Sequence, residues 1–346
     1  MNDFLNDKVL LEVKELQTYF KTDAGILKAV DGVSFVVHEG ETIGLVGESG
    51  SGKSVTNLSI MRLIPSPPGK IVGGKVIFEG NDILSLSEKE LREIRGDKIS
   101  MIFQDPMTSL NPFLRISTQM IETIRLHQHK SKAEARAKAI KMLAEVGIPS
   151  PEKRIDCYPH QFSGGMRQRV MIAMALSCNA QLLIADEPTT ALDVTIQAQI
   201  LELIQKINKK YKTAVILITL DLGVVAGMCD NVCVMYAGKI VEQAPTDELF
   251  ETPLHPYTKG LIASVPRMDE ADKSKKLFSI EGQPPNVIDL PPCCPFHPRC
   301  KEKMDVCLRC YPPLKQISAT HTCACWRQAE QSEIDAVMNK KLEGAN

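Results

Sequence analysis

The sequence has few aromatic residues, no long apolar run and no excess of either charge. Aromatic residues make up 5% of the 346 positions, with a single tryptophan, and apolar stretches such as AVILIT are no longer than a core strand. Because a membrane-crossing helix needs about 20 apolar residues, none is expected. The formal net charge of −1 gives no support to a nucleic-acid or anionic-membrane surface.

The chain also lacks a recognisable targeting segment at its start. MNDFLNDKVLLEVKEL has no basic stretch followed by an apolar one, so a secretory signal is not expected. We therefore expect a cytosolic protein, in which thiols stay reduced. At 346 residues, of which 44% are hydrophobic, the chain is long enough for two domains or for one large domain with an appendage.

Proline and cysteine are concentrated near the end of the chain. Six prolines lie between Pro284 and Pro298, and seven of the eleven cysteines lie between Cys293 and Cys325. Such a segment cannot hold a regular helix or a central strand, so we place a boundary near residue 266 and expect the last twenty residues to form a frayed, polar tail. Because the thiols stay reduced, metal binding is favoured over disulfides. Core positions are expected for the other four cysteines, Cys157, Cys178, Cys229 and Cys233.

The order of strand-like and helix-like patterns indicates an α/β fold. LLEVKEL, VSFVV and KVIFEG are β-rich runs that suggest an N-terminal antiparallel element. QLLIAD and TAVILIT are continuously apolar, as in strands buried on both faces of a parallel sheet. Residues 130–146 have apolar positions at helical spacing and are followed by Gly147, which predicts a helix.

Residues 47–54, GESGSGKS, fit the pattern G-x-x-x-x-G-K-[ST] directly after the strand ETIGLV. Glycines let successive backbone N–H groups point into one concavity, which suits an anion. Lys53 would reach the β- and γ-phosphates of a nucleotide, and Ser54 would bind Mg²⁺. The alternative is a flexible Ser/Gly linker, which the preceding strand and the predicted helix disfavour. The candidate nucleotide contacts of this loop are Gly47, Glu48, Ser49, Gly50, Ser51, Gly52, Lys53 and Ser54.

Two further motifs carry polar groups that suit nucleotide hydrolysis. Asp186 ends the apolar run QLLIAD, where its carboxylate can hold Mg²⁺, and Glu187 can orient or deprotonate an attacking water. Acidic pairs of this kind often cap helices instead, and it is the loop at 47–54 that gives this pair weight. FSGGMRQR, residues 162–169, places a Ser-Gly-Gly turn at a predicted helix start, and its serine lies 23 residues before Asp186.

Taken in order, these motifs resemble those of ABC transporter ATPase subunits. The Walker A, Q-loop, signature, Walker B and D-loop motifs correspond to GESGSGKS, Gln104 of MIFQDP, FSGGM, LLIADE and ALD. The resemblance covers residues 8–265. It implies a RecA-like P-loop ABC ATPase domain over residues 1–265, with a β-rich N-terminal subdomain and a helical subdomain at about 106–178. Residues 266–346 would form a Pro- and Cys-rich C-terminal extension.

The resemblance also assigns roles to single residues. In that family two ATPase subunits pair head to tail, and the ATP of the partner subunit would contact Ser163, Gly164 and Gly165. The catalytic residues would be Glu187, Lys53 and Gln104. The Mg²⁺ ligands would be Ser54, Gln104 and Asp186. An aromatic residue upstream of Walker A stacks on adenine. Phe20 is favoured over Tyr19 by position, and ordinary strand core is the alternative for both.

One position departs from the family pattern. Members carry a histidine after the strand that follows the D-loop helix, in a T-H-D context, whereas ILITLDLGVVA has Leu220 there. A leucine cannot hydrogen-bond the γ-phosphate or its attacking water. We therefore expect nucleotide binding, but weak hydrolysis, at this chain's own Walker A site.

Several segments narrow the resemblance to ATPase subunits of oligopeptide/dipeptide permeases, a branch that includes importers of nickel and other small solutes. They are QDPMTSLNP, FSGGMRQR, HPYTKGLIASVP and the tail pattern CPFHPRC…C…PPL…HxxxCW. The implied function is ATP-driven import of peptides or a related solute, at the cytoplasmic face of the membrane. The implied partners are two membrane-spanning permease subunits, a paralogous ATPase subunit and an extracellular solute-binding protein.

Two rival functions stay open at this point. One is an ABC ATPase that acts on nucleic acid, but those proteins have two cassettes in one chain or long coiled-coil or zinc insertions. Here Lys53 and Ser163 are only 110 residues apart and the chain has one cassette, so no nucleic-acid partner is expected. The other is a nucleotide-binding regulatory subunit with little turnover, which Leu220 keeps open. The transported solute is not identified, because specificity in such systems resides in other subunits.

Members of this branch with the same tail pattern hold a [4Fe-4S] cluster. Matching the pattern residue by residue gives four ligands, Cys294, Cys300, Cys307 and Cys325. Four thiolates suit Zn²⁺ equally by count, and metal-free packing is a third alternative. These four contain no C-x-x-C, which disfavours a zinc ribbon, although Cys307 and Cys310 form one. The off-pattern cysteines and the competing histidines are Cys293, Cys310, Cys323, His297 and His321.

Overall fold

The structure, a computed structural model, describes residues 8–105, 109–190, 192–265, 279–288 and 290–343. In chain order the strands are β1 (Val9–Thr22), β2 (Gly25–His38), β3 (Thr42–Val46), β4 (Gly69–Phe78), β5 (Asn81–Asp82), β6 (Ile99–Ile102), β7 (Leu182–Asp186), β8 (Ala214–Ile218), β9 (Asn231–Tyr236), β10 (Lys239–Pro245), β11 (Lys315–Gln316) and β12 (Thr322–Cys323). The helices are α1 (Lys53–Ile60), α2 (Glu88–Ile94), α3 (Ile116–Gln128), α4 (Lys132–Glu145), α5 (Pro151–Arg154), α6 (Gly164–Leu176), α7 (Val194–Tyr211), α8 (Leu222–Met228), α9 (Thr246–Glu251), α10 (Pro256–Ala263) and α11 (Gln331–Glu343).

The chain divides into two compact units. Unit 1 comprises Met1–Glu12, Val36–Thr42 and Ile77–Ile218, and unit 2 comprises Val13–Phe35, Ile43–Val76 and Thr219–Asn346. The glycine-rich loop and the cysteine-rich tail therefore belong to unit 2, whereas the candidate carboxylates and the Ser-Gly-Gly turn belong to unit 1. The predicted boundary near residue 266 falls at residues 266–278, which lie outside the described ranges.

Unit 1 contains three parallel strands in the order β8-β7-β6. Ile99 of β6 lies beside Leu182 of β7, which in turn lies beside Ala214 of β8. Every residue of β7 and of β8 is buried. The strands predicted from QLLIAD and TAVILIT are confirmed, because continuously apolar runs fit strands that are covered on both faces.

Helices α3, α4 and α6 of unit 1 pack against one another. α4 begins with a capping box, in which Ser131 and Glu134 each accept a hydrogen bond from the other's backbone N–H. It is followed by Gly147, whose φ of 77° ends the helical course of the chain. The helix predicted at 130–146 is confirmed. These helices lie in the stretch assigned to a helical subdomain from the sequence.

Unit 2 contains a sheet with strands in the order β11-β12-β10-β9-β3. β3 and β9 are parallel, and the other neighbours are antiparallel. Glu242 of β10 pairs with Cys323 of β12, so the cysteine-rich tail extends this sheet by two short strands. The parts of β2, β1 and β4 that belong to unit 2 lie in that order in a second sheet. These three strands contain the β-rich runs predicted near the N-terminus.

The end of the chain differs from the prediction of a frayed tail. Helix α11 occupies Gln331–Glu343. Its Ile334 is buried, and Val337 lines a small cavity together with Trp326. Apolar residues three positions apart lie on one helix face, which stabilises a helix in which most of the other residues are polar. The polar composition concealed this short apolar face.

The four cysteines predicted for the core do not all lie there. Cys178, Cys229 and Cys233 are buried. Cys157 is only half-buried, and its thiol points to the carbonyl oxygen of Lys153 at 3.9 Å. Cys157 follows the one-turn helix α5, where the chain runs near the surface, so the prediction is wrong at this position.

Candidate functional site

The glycine-rich loop at residues 47–54 has two positions that require glycine. Gly47 has a φ of 147° and Gly52 a φ of 105°. A Cβ atom at Gly47 would lie 2.2 Å from the carbonyl oxygen of Met235, and one at Gly52 would lie 2.3 Å from that of Ala29. Because these neighbours are backbone atoms, they cannot move aside. The two glycines therefore let the loop pass close to strands β9 and β2 immediately before α1 begins.

Lys53 opens α1, and its ammonium group is held inside the loop. Nζ donates to the carbonyl oxygens of Gly47 (2.6 Å) and Glu48 (2.9 Å) and to the hydroxyl of Ser51 (3.3 Å). The residue is 5% exposed. A cation at the start of a helix, beside a concave glycine-rich loop, suits a phosphate group. These contacts disfavour the flexible-linker alternative, because the side chains of a linker are solvated.

Glu48 of this loop is fixed by residues far along the chain. Its backbone N–H donates to Tyr257 Oη at 2.8 Å. Its carboxylate accepts two hydrogen bonds from Arg299, from Nη1 at 2.6 Å and from Nη2 at 2.9 Å. The Arg299 side chain is 4% exposed and that of Glu48 is 27% exposed. The hydrogen bonds to Glu48 raise the pKa of Arg299 above its ordinary value.

No sequence motif predicted that Arg299 and Tyr257 would contact this loop. They lie in CPFHPRC and HPYTKG, segments that helped to place the chain in one branch of the family and, in CPFHPRC, supplied two candidate cysteine ligands, but neither segment indicated a contact with this loop. A signal was nevertheless present, because an arginine among cysteines and prolines in a folded segment needs an anionic partner when it is buried. The sequence does not say which of its 42 acidic residues that partner is.

In unit 1 the predicted catalytic residues Gln104 and Glu187 are in contact. Gln104 Nε2 donates to Glu187 Oε2 at 2.8 Å, and the hydroxyl of Thr190, which was not predicted, donates to the same oxygen at 2.9 Å. Glu187 has a φ of 46°, which is uncommon for a residue other than glycine. Asp186, the last residue of β7, is 5% exposed. Two adjacent carboxylates, one buried and one half-exposed, could hold Mg²⁺ and orient a water molecule.

The Ser-Gly-Gly turn of unit 1 lies at a helix start, as predicted. Ser163 caps α6, and its hydroxyl accepts a hydrogen bond from the backbone N–H of Met166 at 3.3 Å. Ser163 and Gly164 are exposed. A Cβ atom at Gly165 would lie 2.8 Å from the side chain of Ile196, so α7 approaches α6 closely there. The turn presents the first backbone N–H groups of α6, which suit an anion.

The two aromatic candidates for adenine stacking have different surroundings. The hydroxyl of Tyr19 donates to Asp31 at 2.6 Å, and Lys28 lies over its ring. Burial and this hydrogen bond raise the pKa of Tyr19 to about 12. Phe20 is half-buried and lies against Gly69, where a Cβ atom would come within 2.7 Å of its ring. Tyr19 is therefore held by polar partners, and Phe20 stays the candidate.

Leu220 lies at the surface, at the start of α8. It is 56% exposed, although it follows the buried Thr219. The next residue, Asp221, caps α8 by accepting a hydrogen bond from the backbone N–H of Gly223 at 2.8 Å. The hydrogen bond of the neighbouring Asp221 therefore fixes this turn. The side chain of Leu220 offers no hydrogen-bonding group at its exposed position.

The four cysteines predicted as ligands line one cavity. Cys294, Cys300, Cys307 and Cys325 all border it, whereas Cys293, Cys310 and Cys323 do not. Burial raises the pKa of Cys294 to about 12 and that of Cys325 to about 11. None of the eleven cysteines, all of which lie in the described ranges, forms a disulfide. In the described part of the chain, no group of three or more His, Cys, Asp or Glu residues has the arrangement of a metal site.

The two histidines named as competing ligands have other partners. Nε2 of His321 lies 2.8 Å from Glu242 and its Nδ1 lies 3.2 Å from Glu248, so both ring nitrogens contact carboxylates. His321 is therefore not a candidate for the cysteine cavity. His297 borders the cavity, but its Nδ1 lies 2.7 Å from the carbonyl oxygen of Cys294.

Comparison with known proteins connects these features. Residues 30–190 match the ABC transporter family, and residues 241–307 match the family described as oligopeptide/dipeptide transporter, C-terminal region. The dipeptide transport ATP-binding protein DppD of Bacillus subtilis is 53% identical over 324 residues, which are 94% of this chain and 96% of DppD. The oligopeptide transport ATP-binding protein OppD of Escherichia coli is 50% identical over 322 residues, which are 93% of this chain and 94% of OppD. The chain belongs to the ABC transporter ATP-binding proteins.

Solved ABC cassettes share the fold of this ABC ATPase. The cassette MJ0796, in a dimeric post-hydrolysis state with ADP and Pi, superposes with a TM-score of 0.62 at 28% identity, covering 68% of this chain and 99% of its own. CbiO1 from Clostridium perfringens, part of the transporter complex CbiONQ, gives a TM-score of 0.59 at 28% identity, covering 71% and 92%. The predicted α/β cassette is thereby confirmed. Across the described ranges, no helix is both long enough and apolar enough to span a bilayer.

Proposed function

We propose that this ABC ATPase binds MgATP on the loop at residues 47–54 and uses its hydrolysis to drive import of oligopeptides or dipeptides through a membrane transporter. The observation that carries nucleotide binding is the buried ammonium group of Lys53, held in a glycine-rich loop at the start of α1. The peptide cargo is supported by the similarity to DppD and OppD over 94% and 93% of the chain. It is further supported by the family match at residues 241–307.

The residue roles follow from chemistry and from the family motifs. The backbone N–H groups of the loop and Lys53 bind the β- and γ-phosphates. Mg²⁺ is assigned to three residues, Ser54, Gln104 and Asp186, and when bound it neutralises charge on the phosphate oxygens. Glu187 orients or deprotonates the attacking water. Its hydrogen bonds from Gln104 and Thr190 hold the carboxylate in one orientation, which supports this assignment.

The remaining assignments concern other subunits. The exposed signature turn would contact ATP bound to a second, paralogous ATPase subunit that is paired head to tail, through Ser163, Gly164 and Gly165. Phe20 would stack on the adenine of this chain's own ATP. The pair would dock peripherally, at the cytoplasmic face of the membrane, on two membrane-spanning permease subunits served by an extracellular solute-binding protein. Leu220 would make the two ATP sites of the pair unequal.

Nucleotide binding is tested by titrating the purified chain with MgATP. Lys53→Ala removes the cation that faces the phosphates, and we expect it to abolish high-affinity binding. Unchanged affinity would contradict the proposal. Import is tested by co-expression with the permease subunits, reconstitution in vesicles and measurement of ATP-dependent peptide uptake. Copurification with DNA or ribosomes in place of membrane subunits would favour the nucleic-acid alternative.

We further propose that the tail binds a [4Fe-4S] cluster through Cys294, Cys300, Cys307 and Cys325. The support is that these four thiols border one cavity that the off-pattern cysteines do not reach. Within the described ranges these thiols do not have the arrangement of a metal site, so binding would require them to lose their protons and close around the cluster. Protein purified without oxygen should be brown, with about four iron and four sulfide per chain. About one zinc per chain would favour the tetrahedral alternative, and no metal would reject both.

A further inference from the structure

Arg299 lies in the segment that carries the cysteines, and each of its three side-chain nitrogens donates a hydrogen bond. Besides its two hydrogen bonds to Glu48, Nε donates to the carbonyl oxygen of Glu281 at 3.1 Å, and Nη2 also donates to that of Ile280 at 3.3 Å. Nη1 lies 3.4 Å from the hydroxyl of Tyr236. A guanidinium group with this many partners at 4% exposure has one orientation, which the two tail carbonyls fix together with Glu48 and Tyr236.

The other end of this contact is the residue that organises the glycine-rich loop. Glu48 is held at its N–H by Tyr257 and at its carboxylate by Arg299. Its carbonyl oxygen accepts from Nζ of Lys53 and from the backbone N–H of Ser51, which lies 3.2 Å away. Glu48, together with Gly47 and Ser51, therefore holds the Lys53 ammonium group in place.

An aromatic cluster packs around Tyr257, whose hydroxyl accepts the hydrogen bond from the backbone N–H of Glu48. Tyr257 is 0% exposed, and its ring lies 4.6 Å from that of Tyr236 and 5.4 Å from that of Phe296, measured between centroids. Phe296 precedes Arg299 by three positions in CPFHPRC. The tail thus supplies both the ring that packs against Tyr257 and the guanidinium group that binds Glu48.

We propose that Arg299 is a positioning residue for nucleotide binding: through Glu48 it holds the glycine-rich loop in its phosphate-binding conformation. The affinity of the loop for nucleotide then depends on the folded tail, 251 positions away in the sequence. This inference rests on the proposed nucleotide site. A bidentate, planar pair fixes orientation as well as distance, which a lysine at the same position does not do. If loss of the pair leaves the competent loop populated at about one tenth, apparent affinity falls about ten-fold.

The experiment measures the Kd of MgATP for the full-length chain. We expect Arg299→Ala and Glu48→Ala each to raise Kd about ten-fold. Arg299→Lys should recover only part of the affinity. The matched control is Lys301→Ala, which changes a basic residue two positions away whose contact with Glu281 is long (3.9 Å) and exposed. Its affinity should be that of the wild type.

The decisive variant combines Arg299→Ala with Glu48→Ala. If Arg299 acts through Glu48, the double substitution is no worse than either single one, whereas independent effects would multiply to about 100-fold and overturn the inference. Equal affinities for Arg299→Ala and Lys301→Ala would also overturn it. If Arg299→Ala does not fold, Glu48→Ala and Arg299→Lys still give the comparison. Lys53→Ala separates the two proposals, because retained binding in that variant contradicts the nucleotide site itself.

Discussion

Replacing His321 by leucine should destabilise unit 2, because it removes the partner of a buried carboxylate. The side chain of Glu242, on β10, is 0% exposed, and that of His321 is 2% exposed. Nε2 of His321 lies 2.8 Å from Glu242, and Nδ1 lies 3.2 Å from Glu248. Both ring nitrogens therefore lie within hydrogen-bonding distance of carboxyl oxygens, and the ring is the side-chain partner of the buried Glu242.

The magnitude follows from what remains after the substitution. Glu242 also accepts hydrogen bonds from the backbone N–H groups of Leu254 (2.6 Å) and His255 (3.0 Å), and leucine leaves both in place. Leaving a buried polar group without one of its hydrogen-bond partners costs about 1–3 kcal/mol, and more for a charged group, so we expect a loss of about 3 kcal/mol. Against a total stability of about 5–15 kcal/mol the loss is large. At about 2 °C per kcal/mol, Tm should fall by about 6 °C.

The assay is urea unfolding followed by tryptophan fluorescence. Trp326, the only tryptophan, is 4% exposed and lies in the tail, so it reports on this unit. His321→Gln keeps a donor for Glu242 and should recover about 1 kcal/mol. The control Thr320→Ala removes a hydrogen bond from an exposed hydroxyl to Glu248 and should change stability by about 0.5 kcal/mol at most. Equal unfolding midpoints for His321→Leu and Thr320→Ala would refute the reasoning.

Three further predictions concern hydrolysis, the cysteine cavity and pH. A positioned hydrogen bond in the transition state typically changes the rate by ~10²–10³. Leu220→His should therefore raise the ATPase activity of the assembled complex. Glu187→Gln should change that activity little as long as Leu220 is present. A large loss from Glu187→Gln alone, with no gain from Leu220→His, would show that the leucine site is fully catalytic. In protein purified without oxygen, Cys294→Ser should abolish the metal content and Cys293→Ser should not, because Cys294 borders the cavity and Cys293 does not. Equal metal content in the two variants would exclude the assigned ligand set. Burial lowers the pKa of His255 from 6.5 to about 3, so the folded state binds fewer protons than the unfolded state. The stability that neutral His255 contributes is therefore complete above pH 6.5 and is lost as the pH falls towards 3. At pH 5.0 the loss of stability is about 2 kcal/mol. The urea midpoint should depend less on pH in His255→Asn, which keeps an acceptor for the backbone N–H of Tyr257. Equal pH dependence in both proteins would contradict this assignment.

The glycine-rich loop and its helix could be predicted because their causes are local. An apolar strand, glycines at fixed offsets and a lysine at the helix start lie within a dozen residues, and each constrains the backbone of the next. The buried strands β7 and β8 were predictable for the same reason, since a continuous apolar run is itself the signal. Gln104 and Glu187 were each identified from a motif. Their direct contact depends on the alignment of β6 with β7, which no local pattern encodes.

The contacts of the tail could not be predicted, because they join distant positions through single side chains. Arg299 and Glu48 have no shared periodicity or spacing that would pair them, and the same holds for His321 and Glu242. The proline content argued against a regular helix or a central strand over 284–298, and the described residues of that stretch form neither. It said nothing about α11, whose short apolar face lies beyond that segment. Composition therefore described how the tail is built locally, and not what it contacts.

The cysteine-rich tail shares unit 2 with the glycine-rich loop. It adds strand β12 to β10, places His321 against a buried carboxylate and binds Glu48 through Arg299. A segment made largely of turns has few backbone hydrogen bonds of the kind that join strands. A small number of side-chain contacts must therefore fix it, as disulfides or metals do in small domains. A cluster held by four cysteines would be one more such contact. Cys300 directly follows Arg299 in the chain, so a ligand bound by Cys300 would also restrict the backbone of Arg299, which binds Glu48.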